Sequence, residues 1–516
     1  MIRSFIPSLI NKASVAVVFA AVVIIATLDL GVRGATEGDL AKIRQPAVAG
    51  GFYPSDPDEV ARMVDESLEN ANVPQLPTPV AIVSPHAGYV YSGHVAGHSY
   101  ALLRGRAIDR VVVISPSHVE SFQGASVYDG GGYATPLGVI RVDVEFARHL
   151  ADSSPRIKLS GSGHDHGRRQ RGEHALEVQL PFLQRVLTDF RLVPVVMGEQ
   201  SYETCRALGV ALANLIDGPG TIIVASSDLS HFHGYDEAVR LDSKVCGAVE
   251  RWDYFSLSRN FSTRTWEACG GGPIVAAMIA AERLGANKAI VLDYANSGDV
   301  PVGDRDRVVG YMSAAFVKDP AAPDFDVAID LQVTPKERER LLALARRSVE
   351  AAVKSGKVVD ADGTAGVLDD DLGAFVTLKI NGQLRGCIGY VVPMKPLCET
   401  VRDVAAFAAV RDRRFDPVSV EELDDLQYEI SVLSPIRRVT DVDKIVVGKH
   451  GLLIKNGDRE GLLLPQVASD RGWDTETFLA HTCRKAGLPE DAWRSDQTDI
   501  FAFTAVVFDE HSIGDK

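Results

Sequence analysis

Positive charge is in short supply. Against 69 acidic residues the chain has 54 lysines and arginines, a formal net charge of -15. A field of that sign repels polyanions, so general attachment to nucleic acid is excluded, and anionic lipid finds no partner in the body of the chain. Cysteine is scarce too, at six. Cys205, Cys246 and Cys269 precede residue 320 and Cys387, Cys398 and Cys483 follow it, an odd number on each side that suits no disulfide framework. No C-x-x-C pair occurs, so zinc-ribbon and thioredoxin readings fall away. Long uncharged runs are missing except in ASVAVVFAAVVIIATL, the sixteen residues from Ala13 to Leu28, preceded by Arg3 and Lys12. A positive segment ahead of an apolar one has the form of a signal, although this one is shorter than the ~18 residues that span a bilayer comfortably. Residues 1–34 are therefore expected to be a cleavable signal peptide or an N-terminal membrane anchor. The upstream charge then puts the main body outside the cytoplasm. A misassigned start ahead of a cytoplasmic protein is the alternative.

What is present is the composition of a globular protein, too long at 516 residues for one core. A stretch rich in proline, alanine and acids, KDPAAPDFDVAIDLQVT from Lys318 to Thr334, reads as an extended connector between two halves. The expected division is 40–318, a linker over 319–333, and 334–510. In the first half, Val80–Val83, Arg110–Ile114, Arg191–Val196, Thr221–Ala225 and Ala289–Leu292 are short β-branched runs. Between them lie stretches with apolar residues at helical spacing, such as EHALEVQLPFLQRVL. This alternation predicts an α/β N-terminal domain with a largely parallel central sheet, whose ligands sit beyond the carboxyl ends of the strands.

Three of these runs end alike. IVSPHAG, VISPSHV and IVASSDLSHFHG each pass into serine and then histidine, at His86, His118 and His231. Any one of them alone reads as a loop or cap residue. Three at equivalent strand ends favour a metal site, because imidazole is the commonest transition-metal ligand and parallel strands share one edge. Cys269 precedes a glycine turn that opens a helix, where the helix dipole stabilises a thiolate; its other reading is a small buried hydrophobe. Asp228, three residues before His231, is placed to orient an imidazole. Glu173 and His174 open the EHALEVQLPF helix, and Glu177 lies one turn on; these either join the site or merely favour the helix dipole. The preceding GSGHDHGRRQRG reads as a surface loop with His164 and His166 in solvent.

PHAGYVYSG, PSH, TPLG (Thr135–Gly138), EHALEVQLPF, SSDLSH and CGGGPI follow one another as in the Memo family. From Arg44 to Val317 the chain resembles that family, itself similar to class III extradiol ring-cleaving dioxygenases. The resemblance implies a metal held by His86, His118 and Cys269. It implies that Asp228 and His231 line the same pocket, which makes them the catalytic candidates, His231 as acid–base catalyst. The shared strand-end arrangement makes Tyr89 and Tyr91 candidate pocket walls, and their position makes Glu173 and His174 candidate pocket residues. Ring-cleaving dioxygenases hold Fe(II) with two histidines and a carboxylate, whereas the third position here is Cys269. Glu267 is the nearest carboxylate to it in sequence. Iron is the first choice on family likeness, and the donor set also suits copper or zinc.

In the second half, Asn381-Gly382 between two alternating runs predicts a β-hairpin. GLLIKNGDREGLLLPQV suggests another, YEISVLSP and FAFTAVVF read as strands, and two amphipathic helices complete an α+β domain. LRGCIG, Leu384 to Gly389, resembles the signature of the AMMECR-type domain, a likeness running from Thr334 to Val507. Arg385 there is a candidate anion holder and Cys387 a candidate reactive thiol; the plain alternative is close sheet packing with Cys387 buried. Proteins resembling the two halves occur with a radical SAM protein in the AmmeMemoRadiSam system, which implies a functional link to such a partner. Its C-x3-C-x2-C motif is absent from this chain. The expected function is a metal-dependent, dioxygenase-like redox protein acting on a small molecule, with an accessory second domain. The alternatives are an adaptor that binds a peptide in the same pocket and a zinc hydrolase. Membrane contact is expected only through the N-terminal segment.

Overall fold

The computed structural model describes residues 42–164, 172–322, 328–361 and 366–510. The expected signal or anchor, His166 and the middle of the connector lie outside the described residues. Among those described, no helix is long and apolar enough to cross a membrane.

The five expected strands all form, as β1 (Pro79–Ser84), β2 (Arg110–Pro116), β5 (Arg191–Met197), β6 (Thr221–Ser226) and β8 (Lys288–Asn296). With β3 (Ala125–Val127), β4 (Ile157–Leu159), β7 (Asp228–His233) and β9 (Val308–Val317) they build one sheet, in the order β7-β9-β1-β6-β2-β5-β3-β4, with β8 also on β9. The sheet is mixed, which corrects the expectation of a largely parallel one. The central β1-β6-β2-β5 block is parallel throughout, and β3 and β4 pair in parallel at one edge. β9 runs antiparallel to β1, β7 and β8. For β8 and β9 the connection is short: a parallel neighbour needs a crossover of about a dozen residues or more, usually a helix, whereas the 297–307 link holds a 3-10 turn.

Alternation along the central strands sends their side chains to two faces. Val112 and Ile114 join one apolar cluster with the helices Tyr202–Leu215 and Gly271–Arg283. Val111 and Val113 join another, with the helices Pro57–Asn70 and Tyr89–Ala101. Along β9, β1 pairs with Ala314–Val317 and β7 with Val308–Tyr311. The end of β1 and the start of β7 therefore meet end to end along one edge of β9, which brings His86 to Asp228.

Two local expectations change. Glu173 and His174 do not open a helix; a 3-10 turn begins at Glu177 and the α-helix spans Leu180–Val186, with Pro181 in its first turn. Glu177 is fully buried, accepting hydrogen bonds from Arg44, from the backbone of Ala47 and Val48, and from the Tyr53 hydroxyl. His164 is not solvated but 1% exposed. Its Nε2–H donates to the Ser126 carbonyl at 3.1 Å, so Nδ1 accepts from the Tyr133 hydroxyl.

The second domain is a seven-stranded sheet in which every pairing is antiparallel. Its Ala374–Ile380 and Gln383–Tyr390 hairpin turns at Asn381 and Gly382 with φ of 51° and 77°, the type I′ geometry that Asn-Gly predicts. Helices Pro335–Ser355 and Leu397–Val410 cover one face. On the opposite side Leu433, Ile436, Leu453, Phe501 and Phe503 belong to the same apolar cluster as the first domain's helices. Buried polar pairs line this shared core: Tyr202 and Arg206 donate to Asp499 at 2.8 and 2.6 Å, and Arg438 to Glu282 at 2.6 Å.

Burial pushes the Glu282 carboxyl up while Arg438 pulls it down, so removing the guanidinium leaves a buried, uncompensated acid. Arg438→Ala is expected to cost about 3 kcal/mol in urea unfolding, and Arg438→Lys less. Burial also lowers the His164 pKa to about 3, against ~6.5 in an unfolded chain. Above ~6.5 neither state takes the proton; as pH falls toward 3 only the unfolded state does, so stability declines by up to ~1.4 kcal/mol per pH unit from this residue. Urea titrations between pH 7 and 4 should show His164→Gln with a slope shallower by that amount.

Candidate metal centre

Proline follows Ser84 and stops β1, and His86 comes next but one, 1% exposed. Its backbone N–H donates to Asp228 Oδ1 at 2.7 Å, and its Nδ1 lies 2.9 Å from Ser226 Oγ. The Ser226 hydroxyl donates its single proton to the Ala175 carbonyl at 2.6 Å and accepts from Gln179 Nε2 at 2.8 Å. With that proton committed, Nδ1 of His86 must be the donor. Gln179 is fixed in turn, donating to the Pro85 carbonyl at 2.9 Å and accepting from the Tyr100 hydroxyl at 2.6 Å. Nε2 of His86 is left as the unprotonated nitrogen, its lone pair toward Cys269 Sγ.

His118 and His231 arrive at the same state by other means. Both the backbone N–H and Nδ1 of His118 face the Glu173 carboxylate, Nδ1 at 3.0 Å. Burial alone would raise the Glu173 pKa, but the His118 hydrogen bond and the neighbouring imidazoles hold it down at about 2. It is an anion at neutral pH and can only accept, so Nδ1 of His118 carries the proton. Nδ1 of His231 donates to the Leu229 carbonyl at 2.8 Å. The irregular register of β7 against β9 on either side of His231 accompanies a φ of 65° at Phe232. All three imidazoles thus keep Nδ1–H bound and the Nε2 lone pair unprotonated, an arrangement in which histidine ligates a metal.

Cys269 closes the set. Its Sγ lies 3.0 Å from His86 Nε2 and 3.6 Å from the Asp228 carbonyl. The chain passes so close here that a Cβ on Gly270 would fall 2.2 Å from the Ser226 carbonyl oxygen, so only glycine fits. Burial, with Asp228 nearby, pushes the Cys269 thiol well up. The helix start at Gly271 therefore does not by itself produce the expected thiolate; the thiol donates to His86 Nε2 until a cation displaces its proton. Burial likewise lowers the His86 pKa well below its usual value and that of His174 to about 3. It raises that of Asp228.

Donor atoms of His86, His118 and Cys269 lie within 4.8 Å of one another, as do those of Asp228, His231 and Cys269, and of His118, Glu173 and His174. Nitrogen and sulfur donors whose second positions are already satisfied fit a transition metal. His174 stacks on His118 with ring centroids 4.6 Å apart. Tyr91, Phe52, His174, His231 and Tyr311 line a cavity of about 410 Å3 beside the cluster, with Asp228 at its floor. Tyr89, expected as a pocket wall, is instead 5% exposed core, its hydroxyl on the Val178 carbonyl and its ring against Phe182. Its place as the first residue of the Tyr89–Ala101 helix turns it inward against the neighbouring helix. Glu267 is engaged by His233 at 3.0 Å and belongs to none of the three donor sets.

Arg385 and Cys387 lie in the second domain. The Arg385 guanidinium is committed to Glu422 through two bonds of 2.7 and 2.9 Å and to the Asp416 carbonyl, which ties a loop to the sheet rather than opening an anion site. Cys387 is half-buried, accepting from the Thr377 hydroxyl at 3.3 Å. Ser226 and Gln179 were not singled out in the sequence. Their only signal is polarity inside apolar runs, in IIVASS and EVQLPF.

Residues 44–315 match the family profile described as Memo-like protein, and residues 342–508 match that described as AMMECR1. A MEMO1 family protein of Methanobrevibacter smithii is 36% identical over 287 residues, 53% of this chain and 99% of that protein. One from Methanosarcina barkeri is 39% identical over 272 residues, 52% of this chain and 98% of its own. The crystal structure of an uncharacterised protein from Pyrococcus horikoshii is 43% identical, covering 33% of this chain and 90% of that one with a TM-score of 0.32. The chain belongs to the Memo family and carries an AMMECR1 domain after its Memo domain.

Proposed function

We propose that the Memo domain holds one transition metal ion, Fe(II) foremost, through His86, His118 and Cys269. It serves dioxygenase-like redox chemistry on a small molecule in the adjoining cavity, and the AMMECR1 domain is accessory. The observation that carries this reading is the common state of the three imidazoles, each with Nδ1–H on a fixed acceptor, so that Nε2 keeps its lone pair, in His86 directed at the Cys269 thiol. A bound iron would supply Lewis acidity and one-electron chemistry toward O2.

The chain's own residues do the rest. Tyr91 and Phe52 offer aromatic surface to a planar ligand. His231, its Nδ1 anchored on Leu229, keeps Nε2 to take a proton from a ligand hydroxyl at the cavity edge. Asp228 holds the His86 backbone N–H through Oδ1 and is the candidate to assist His231 in proton transfer. Cys269 must lose its proton when metal binds.

Anaerobically purified protein should contain close to one equivalent of iron, lost in His86→Ala. Less than about a tenth of an equivalent of any transition metal would overturn the reading. Oxygen uptake with a panel of catechols tests the redox step; iron without turnover favours a peptide- or metal-holding adaptor, and native zinc favours a hydrolase. Because the thiol pKa is raised, proton and metal compete for Cys269 below it, and apparent Zn(II) affinity should rise about tenfold more per pH unit than in Cys269→Ser. Competition titrations at pH 6.5 and 7.5 measure this directly.

A further inference from the structure

We infer that Asp371 of the AMMECR1 domain is a positioning residue for Cys269, acting across the domain boundary through Trp266; this rests on the proposed metal reading. The segment that carries Cys269 has no regular structure of its own. The helix Tyr254–Thr263 stops at Arg264 in a left-handed conformation with φ of 58°, and the next helix begins at Gly271. Between them the Thr265 and Trp266 N–H groups turn back onto the Asn260 carbonyl at 2.9 and 3.3 Å. Within this segment only Trp266 has a large buried side chain, 2% exposed.

The second domain holds that indole. Trp266 Nε1 donates to Asp371 Oδ2 at 3.3 Å, and Lys244 of the first domain neutralises the same carboxylate at 2.8 Å. Asp371 itself is 5% exposed at its side chain and forms an isolated bridge with Pro396. Asn260, the residue onto which the segment folds, also donates to the Pro393 carbonyl at 2.8 Å. The other side is pinned by the first domain: Cys269 N–H to the Asp228 carbonyl at 3.2 Å, and Gly270 N–H to Ser227 Oγ at 3.0 Å. The thiol thus sits on a short irregular segment clamped between the Memo sheet and the AMMECR1 domain. Loss of the Asp371 carboxylate strands the indole N–H and the Lys244 ammonium together, and frees one jaw of the clamp.

The experiment uses the full chain. In metal-free protein, the rate of iodoacetamide labelling at Cys269, read by peptide mass spectrometry, should rise about tenfold in Asp371→Ala and in Trp266→Phe, which keeps the ring but lacks the N–H. Asp371→Asn, which retains an acceptor oxygen, should restore most of the protection. Zn(II) affinity should fall about tenfold in the same variants that label fast. Arg438→Ala, which breaks an interface ion pair away from this segment, should leave both readouts at the parental level. Parental labelling in Asp371→Ala, or acceleration in Arg438→Ala as large, would overturn the inference. Fast labelling of the variants in a chain that binds no metal would retain the positioning role and remove the metal reading.

Discussion

The hydroxyl of Ser226 has one proton and two lone pairs, and all three are committed: to the Ala175 carbonyl, to Gln179 Nε2 and to Nδ1 of His86. That full commitment fixes the tautomer of His86, and with it the direction of the lone pair that faces Cys269. The position follows from the sheet. β1 and β6 are parallel neighbours with Ser84 opposite Ser226, so the residue two beyond Ser84 lies over the end of β6. The backbone of Ser226 matters as much as its side chain, since its carbonyl is the surface against which Gly270 passes. His86 and Cys269 are therefore brought together by a single residue that ligates nothing.

Around that node, burial sets the protonation states before any cation arrives. The imidazoles of His86 and His174 are neutral, the Cys269 thiol keeps its proton, and Glu173 is held ionised. A divalent ion entering such a site displaces one proton, and the residual positive charge faces the Glu173 carboxylate behind His118. On the proposed metal reading, charge balance would come from Glu173, placed behind His118, rather than from an acid at the ion.

Much of this is legible in the sequence because it repeats. Three apolar runs each ending in serine and histidine announce a shared edge, and Asn381-Gly382 specifies its turn through two positive φ values. The partners that set the tautomers are not legible, because the fold gathers them from afar: Gln179 and Ser226 are 47 residues apart, Gln179 and Pro85 94. His164 escapes for the same reason, its burial depending on Tyr133 and Ser126 in other strands. The antiparallel strand β9 is hidden by its small residues. Gly310 is forced by Asp242, whose Oδ2 would lie 1.9 Å from an added Cβ, and Ser313 bonds the Ser99 hydroxyl in the interior. Tyr89 misleads because the same motif places His86 in the candidate site and a core residue three positions later.

The two domains share one apolar core, and both hydrogen-bond to the segment that carries Cys269. The claim on which everything else depends is that Cys269 ligates a metal beside His86 and His118. X-ray absorption at the edge of the metal that copurifies with the full chain tests it most directly. The account predicts one sulfur scatterer at about 2.3 Å together with imidazole nitrogen, and loss of the sulfur in Cys269→Ser with the nitrogens retained; a shell of oxygen and nitrogen alone in the parent chain would contradict it.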